Sequence, residues 1–371
     1  MVFDFLQKSA SDALPLEFGP VTGRDRIQIT ATLKCNAQGA PMFSQALPSD
    51  VLESAGTSLN GNDVCRHVFR IIQSLFDDPA LKPLTKKAQV VGVMSDESCV
   101  NGLATRLHIG EDKHLINVTS GTMLRGTVAL YRLLGHQVLQ QAGSEFVQEA
   151  TSKFHAHPFP MPRGLDLRKY GLECAVYGML AVFCHELAHV LRGHTAFVSL
   201  RLGLDALCEA GESRDGGALD VRRLIEVDAD DYAGQFLADI LFRNQVQTKQ
   251  LLEDTAATAR FLKVAAGVLA LYLGFNKEGG AYYGGPARAH LVLSSLLHRC
   301  TDDPEAASWL RDQIKDIQAD MVGAGLVTRE DVALLEKEKA DLANLSIPAR
   351  NAVEHEWIAV RPWTNELKIR V

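Results

Sequence analysis

The spacing of apolar residues changes near the middle of the chain. In the first half, short apolar or alternating segments bounded by turn residues predict β-strands at 26–33, 89–94, 103–109 and 115–118. After a proline-containing loop at 151–162, apolar residues recur at intervals of three and four over long segments, as helices require. The predicted helices lie at 172–193, 221–243, 248–275, 287–298, 305–321 and 332–342, with earlier helices at 64–76 and 123–142 and a further strand at 357–360.

This order of elements predicts an α+β protein. Residues 1–150 would contain a small mixed or antiparallel sheet with a hairpin, and residues 151–371 would be mostly helical. A chain of 371 residues is long enough to bury one large core. We therefore expect the two parts to form one compact unit.

Composition narrows the functional classes. The net charge of −7 offers no basic surface for nucleic acid, so no nucleic-acid partner is expected. The longest apolar run, 261–275, is shorter than the roughly 20 residues that cross a bilayer, and it predicts a buried helix rather than a membrane span. The N-terminus lacks the pattern of a signal peptide, and the seven cysteines include no CxxC pair. These features predict a water-soluble, cytoplasmic protein with reduced thiols.

Candidate chemistry begins at residues 185–189, which read His-Glu-Leu-Ala-His. His185 and His189 lie four positions apart, so on a helix both imidazoles project from one face. Glu186 can point toward a water molecule held by a metal between the two rings. This is the HExxH arrangement, in which two histidines bind zinc and the glutamate acts as general base. A chance match on a surface helix is the alternative, which the apolar neighbours of the motif disfavour.

A catalytic zinc site needs a third protein ligand and an open fourth position. The next carboxylate cluster is Glu-Val-Asp-Ala-Asp at 226–230, in which Glu226 and Asp230 share a helix face. One of them can bind the metal while the other accepts a hydrogen bond from a ligand histidine. An ordinary solvated helix face is the competing interpretation. Asp228 and Asp231 point elsewhere on this helix, and we expect them to be solvated.

Together, HELAH and EVDAD resemble the HExxH and ExxAD motifs of the gluzincin metallopeptidases, especially the M48 family. Residues 101–105 and 115–121 are similar to the Asn-Ala-Phe-Ala hairpin and the Gly-terminated strand that precede the zinc helix in that family. The chain departs from the family in two ways: Gly102 stands where a bulkier Ala is usual, and the transmembrane helices of many members are missing. The soluble phage-exclusion peptidase family resembles the chain in the same order of motifs.

The resemblance implies a zincin-type helical domain and assigns roles to particular residues. Glu226 would be the third zinc ligand, and Asp230 would orient a zinc histidine, His185. The strand at 115–118 would be the sheet edge along which an extended peptide pairs. The implied function is that of a zinc-dependent metalloendopeptidase with a protein or peptide substrate and Glu186 as general base.

A later segment at 282–290 offers groups that could stabilise an oxyanion. Its sequence, Tyr-Tyr-Gly-Gly-Pro-Ala-Arg-Ala-His, delivers Tyr283, Arg288 and His290 after the zinc helices. We take His290 as the first candidate for a catalytic role. A simple turn between helices is the alternative interpretation.

Two other functional classes fit the same motifs. A non-catalytic, zinc-stabilised binding or sensor protein would have its site closed by a fourth protein ligand, with His194 or Asp230 as candidates. A hydrolase of small amides is the third class. Otherwise we interpret His194 as a helix-end histidine favoured by the macrodipole, Cys184 as a structural thiol, and His155 and His157 as exposed loop residues.

Overall fold

The computed structural model describes the strands and most of the helical part of the chain. The described residues are 89–95, 101–106, 113–119, parts of 122–134, 167–202, 206–208, 216–275 and 283–344. The predicted elements at 26–33, 64–76 and 357–360 lie outside these ranges, as do His155 and His157. Within them helices predominate and the strands form one small sheet, which confirms the α+β prediction.

The sheet has four strands in the order β1-β3-β2-β4. They are β1 (Gln89–Ser95), β2 (Gly102–Arg106), β3 (Lys113–Thr119) and β4 (Ala206–Cys208). β2 and β3 form the predicted antiparallel hairpin, with Ala104 opposite Ile116. β1 runs parallel to β3, and β4 runs antiparallel to β2, so the sheet is mixed.

The prediction that residues 115–118 form a sheet edge is wrong. β3 lies between β1 and β2, and its pairing with β1 extends from Lys113 to Thr119. Its backbone groups are therefore used on both sides. In the described part of the sheet the outer strands are β1 and β4, and the three-residue β4 is too short for sequence periodicity to reveal.

The helical part begins with the element that carries HExxH. In chain order the helices are α1 (Leu167–Leu191), α2 (His194–Leu202), α3 (Gly216–Leu241), α4 (Arg243–Thr248), α5 (Thr255–Tyr272), α6 (Gly285–Cys300), α7 (Pro304–Gly323) and α8 (Arg329–Asn344). α1 and α2 are separated by a tight turn at Gly193, whose φ of 85° is the left-handed conformation that glycine adopts without strain.

The helix predicted at 248–275 begins seven residues later than expected. α4 ends at Thr248, and Lys249 takes the left-handed conformation with φ 60°. α5 begins only at Thr255, because the side chain of Asp254 accepts hydrogen bonds from the amides of Ala256 and Ala257. Asp254 thus starts a new helix at Thr255, although apolar residues continue through the turn before it.

α1 is a core helix, with every side chain from Glu173 to Leu191 buried. It packs against α5 and α3, and it also contacts β2 and β3. By length and composition α1 and α5 could each cross a membrane, with mean hydropathies of 1.5 and 1.2 over Glu173–Leu191 and Thr255–Tyr272. Buried core helices of water-soluble proteins have the same composition. The predicted lack of a membrane span therefore stays a prediction.

Candidate metal centre

The last two turns of α1 bring the HExxH side chains into the interior. His185, Glu186 and His189 are only 1%, 1% and 2% exposed. Burying two imidazoles and a carboxylate is costly unless they are paired or bind a metal. The residues around them on α1, including Cys184, are buried as predicted, and burial raises the pKa of the Cys184 thiol. The thiol therefore stays protonated.

Glu226 of α3 completes a group of three buried side chains that could hold a metal ion. Nε2 of His185 lies 2.9 Å from Nε2 of His189 and 3.1 Å from Oε2 of Glu226. The other carboxylate oxygen, Oε1, lies 3.5 Å from Nε2 of His189. Ligands placed tetrahedrally at the usual zinc distances stand about 3.3 Å from one another. The three donor atoms therefore have a spacing that suits an ion of this size.

Asp230 lies one turn after Glu226 and contacts His185 on the opposite side of its ring. Oδ1 of Asp230 is 2.7 Å from Nδ1 of His185. A carboxylate at this position can hold the imidazole in the tautomer that leaves Nε2 free for a metal. The contact is the one expected for a residue that orients His185.

Arg288 of α6 joins the same cluster from a third helix. Its Nε donates to Oδ2 of Asp230 at 2.9 Å, and its Nη2 donates to Oε2 of Glu226 at 3.3 Å. The guanidinium is buried and lies over the rings of Tyr272 and Phe275. Arg288 therefore supplies positive charge beside two buried carboxylates.

These contacts set the ionisation of the cluster. Burial raises the pKa of Glu226, but the charges of His189 and hydrogen bonds from both histidines outweigh it and hold the pKa well below its usual value. For Asp230, burial also acts upward and is outweighed by Arg288 and His185, so its pKa is lowered. Burial lowers the pKa of His185, but Asp230 reverses the effect and the net shift is upward. A metal that binds Nε2 of His185 would therefore displace a proton.

Two predictions for this region are wrong: Asp228 is not solvated, and His194 does not follow the C-terminal end of α1 as a histidine favoured by the macrodipole but begins the next helix. Asp228 is fully buried and forms an ion pair with Arg192, at 2.7 Å from Oδ2 to Nε and 3.0 Å from Oδ1 to Nη2. His194 is the first residue of α2, and burial lowers its pKa to about 4. Asp231 is half-buried and accepts a hydrogen bond from Ser295. The face of α3 that periodicity assigns to solvent is covered by the turn between α1 and α2.

Glu186 lies against the first residue of β2. A Cβ atom built on Gly102 would collide with Oε1 of Glu186 and stand 3.1 Å from its Cδ. The glycine thus leaves room for the carboxylate of the candidate general base. An alanine at position 102 would occupy that space, which the sequence alone could not reveal.

Of the three later candidates, Arg288 contacts the candidate metal group, through Glu226 and through Asp230 beside it. Tyr283 lines a narrow cleft with Glu226, Val227, Asp230, Arg288 and Leu291. His290 is half-buried and follows Arg288 by two residues on α6, about 200° around the helix. Its catalytic role stays a prediction, and Arg288 becomes the first candidate for a group that acts near the site.

Comparison with known proteins returns no match for this chain, either to a family model, to a curated protein or to a solved structure.

Proposed function

We propose that the protein is a zinc-dependent metalloendopeptidase with a zincin-type helical domain. The observation that carries the proposal is the convergence of Nε2 of His185, Nε2 of His189 and the carboxylate of Glu226 in the interior, with Glu186 on the same helical turn. Two helices that are separate in sequence supply these groups. Their convergence adds to the resemblance in the motifs.

The donor set favours zinc over harder cations. Two imidazole nitrogens and one carboxylate oxygen are the ligands of many catalytic zinc sites, whereas calcium and magnesium prefer oxygen ligands alone. When bound, zinc acts as a Lewis acid that makes water a better nucleophile and polarises a carbonyl group. Three protein ligands would leave one coordination position for this chemistry.

The arrangement around the ligands supports an open site. His194 and Asp230, the two candidates for a fourth ligand, each contact an Nδ1 atom, one on His189 and the other on His185. Both lie behind the imidazole rings, away from the point where the Nε2 atoms converge. This geometry favours a catalytic site over one closed by either residue.

Glu186 is the residue that we propose moves the proton. Its carboxylate would take a proton from the attacking water and later give it to the departing amine. Its buried position beside Gly102 keeps the carboxylate near the start of β2. The backbone of this strand thus borders the proposed reaction centre.

We also propose that the enzyme is water-soluble and acts in the cytoplasm. In the described part of the chain, Cys174, Cys184 and Cys300 are buried free thiols, as expected in a reducing compartment. Packing of α1 on α5 accounts for the apolar composition of both helices. Recovery of the protein in the membrane fraction would contradict this part of the proposal.

The decisive experiment combines metal analysis with cleavage of a peptide library by the wild type and Glu186→Gln. We expect about one zinc per chain in both proteins, and a loss of turnover of at least about 100-fold in the variant, because general acid–base catalysis contributes that much. The matched control is Glu173→Gln on the same helix, where Glu173 is buried and paired with Lys263. It should lower stability without changing zinc content or turnover of the folded protein.

Three results would contradict the proposal. Full activity in Glu186→Gln excludes the mechanism, and a wild-type protein without zinc excludes the metal. Bound zinc with no cleavage of any peptide or protein would favour the zinc-stabilised binding protein, or a hydrolase if small amides are cleaved instead.

A further inference from the structure

We infer that His194 and Asp228 are positioning residues for the second metal histidine, because they fix the tautomer and the ring orientation of His189. This inference rests on the proposed zinc site and extends it. The first histidine, His185, is held directly by a carboxylate. The second contacts the imidazole of His194, whose Nε2 lies 3.2 Å from the carboxylate of Asp228.

The two nitrogens of His189 face different partners. Nε2 lies among the metal donors, 2.9 Å from Nε2 of His185. Nδ1 lies 3.1 Å from Nδ1 of His194, and the planes of the two rings are inclined by 65°. His194 is fully buried at the start of α2, directly after the turn at Gly193. The turn between α1 and α2 therefore places one imidazole behind the other.

The protons of this pair follow from the chemistry of metal binding. A histidine that binds a metal through Nε2 carries its proton on Nδ1. The Nδ1–H of His189 then donates to Nδ1 of His194, which must accept. His194 consequently carries its own proton on Nε2, and that atom lies 3.2 Å from Oδ2 of Asp228. A doubly protonated His194 would place two N–H groups against each other.

Asp228 is itself held in place. Its two oxygens accept from Nε and Nη2 of Arg192, and the guanidinium of Arg192 lies 4.5 Å from the centre of the Tyr232 ring. Asp228 is two residues from Glu226 on α3. Helix α3 thus supplies both the proposed ligand Glu226 and Asp228, the carboxylate that contacts His194 on the other side of the site.

The inference is tested by measuring the zinc affinity of two variants that differ only at position 194. In His194→Asn, the side-chain Oδ1 can take the place of Nδ1 and accept from His189. In His194→Gln, the amide nitrogen can reach Asp228, but no acceptor remains at the position of Nδ1. Both are polar amides, so a comparison between them separates hydrogen bonding from packing. The experiment measures zinc affinity by competition with a chromophoric chelator and records the absorption spectrum of the Co²⁺-loaded proteins.

We expect His194→Asn to bind zinc within about threefold of the wild type, and His194→Gln to bind it about 10- to 100-fold more weakly, the usual effect of losing a residue that orients a ligand. The Co²⁺ bands of His194→Gln should shift, because His189 would tilt. His114→Gln is the matched control: His114 is buried on β3 and bonded to Thr195 of α2, but it is not one of the three residues that could hold the metal. It should leave zinc affinity unchanged.

The inference fails if the wild type binds zinc and the two His194 variants bind it equally well. It also fails if His114→Gln weakens binding as much as His194→Gln, since the effect would then be general destabilisation. A wild type that binds no zinc overturns the proposed function as well, so the two failures are distinguishable.

Discussion

Helix α1 is buried on two sides that are built in different ways. Toward α5 the contact is mostly apolar, apart from the ion pair of Glu173 with Lys263. It is also very close, because Gly178 and Gly267 face each other and a Cβ on either would collide with backbone carbonyl groups of the other helix. Toward α3 the contact is polar, and it joins His185 and His189 to Glu226, Asp230 and Asp228. One helix therefore has a packing side and a chemical side.

The α5 side and the α3 side of α1 differ in what makes their burial stable. Apolar surfaces are stabilised by removal from water and by close packing, which need only complementary shapes. Buried carboxylates and imidazoles are stable only when each is paired or bound to a metal. We therefore expect substitutions on the α3 side to change function first, and substitutions on the α5 side to change only stability.

The largest effect should come from His189→Ala on the α3 side. Loss of one of three proposed ligands should weaken zinc binding by more than about 100-fold, since loss of an orienting residue alone costs 10- to 100-fold. Zinc content after dialysis and peptide cleavage are the measurements. His298→Ala removes an exposed histidine near the end of α6 and should retain both. Zinc retained in His189→Ala would show that the α3 side does not depend on this ligand.

A smaller effect is expected from a substitution in β2 at Gly102, which lies beside Glu186 of α1. Gly102→Ala introduces a methyl group that collides with Oε1 of Glu186 and displaces the carboxylate. Because a displacement of about 1 Å can cost about 100-fold in rate, kcat should fall by about 10- to 100-fold while zinc affinity is retained. Steady-state kinetics and chelator competition measure the two quantities.

The matched control for Gly102→Ala is another glycine whose position is unrelated to the site. Gly325 is exposed after α7, and a Cβ there meets no atom within 4 Å, although its φ of 67° means that alanine will cost some stability. Gly325→Ala should leave kcat unchanged. An unchanged kcat in Gly102→Ala would mean that the carboxylate does not need the space beside β2.

The smallest effect on function should come from the packing side. In Gly267→Ala the new methyl group would run into the carbonyl oxygen of Cys174 on α1. Overpacking costs about 1–3 kcal/mol, which alanine's better helix propensity offsets by about 1 kcal/mol. Urea unfolding should show a net loss of up to about 2 kcal/mol, with zinc affinity and kcat of the folded protein unchanged. A loss of zinc affinity would show that the two sides of α1 are coupled.

Sequence spacing was a good guide wherever the relevant residues share one helix. The intervals between His185 and His189, and between Glu226 and Asp230, predicted shared faces because the helical repeat is fixed by the backbone. The convergence of His185, His189 and Glu226 into a group that could hold a metal agrees with those intervals. The α+β order and the hairpin of β2 and β3 were likewise predictable from periodicity.

Spacing was a poor guide wherever a distant segment decides the environment. Asp228 was expected to be solvated, but the turn before α2 covers it, with Arg192 standing 36 residues away in sequence. His194 was interpreted as a helix-end histidine, and its contact with Asp228 on α3 depends on the fold. β3 was expected at an edge because nothing in its sequence reveals that β1 pairs with it in parallel. Arg288 reaches Asp230 across 58 residues.

The sequence by itself determined which side chains share a helix face, because the helical repeat alone specifies that relation. It therefore identified the two candidate ligand histidines, the adjacent glutamate and the downstream pair of carboxylates. Only the tertiary structure decided which carboxylate meets which imidazole, which nitrogen of each ring remains for a metal, and which strand lies beside Glu186. These depend on the packing of α1 against α3, α6 and β2, where contacts between distant residues are fixed by the whole core and by no local pattern.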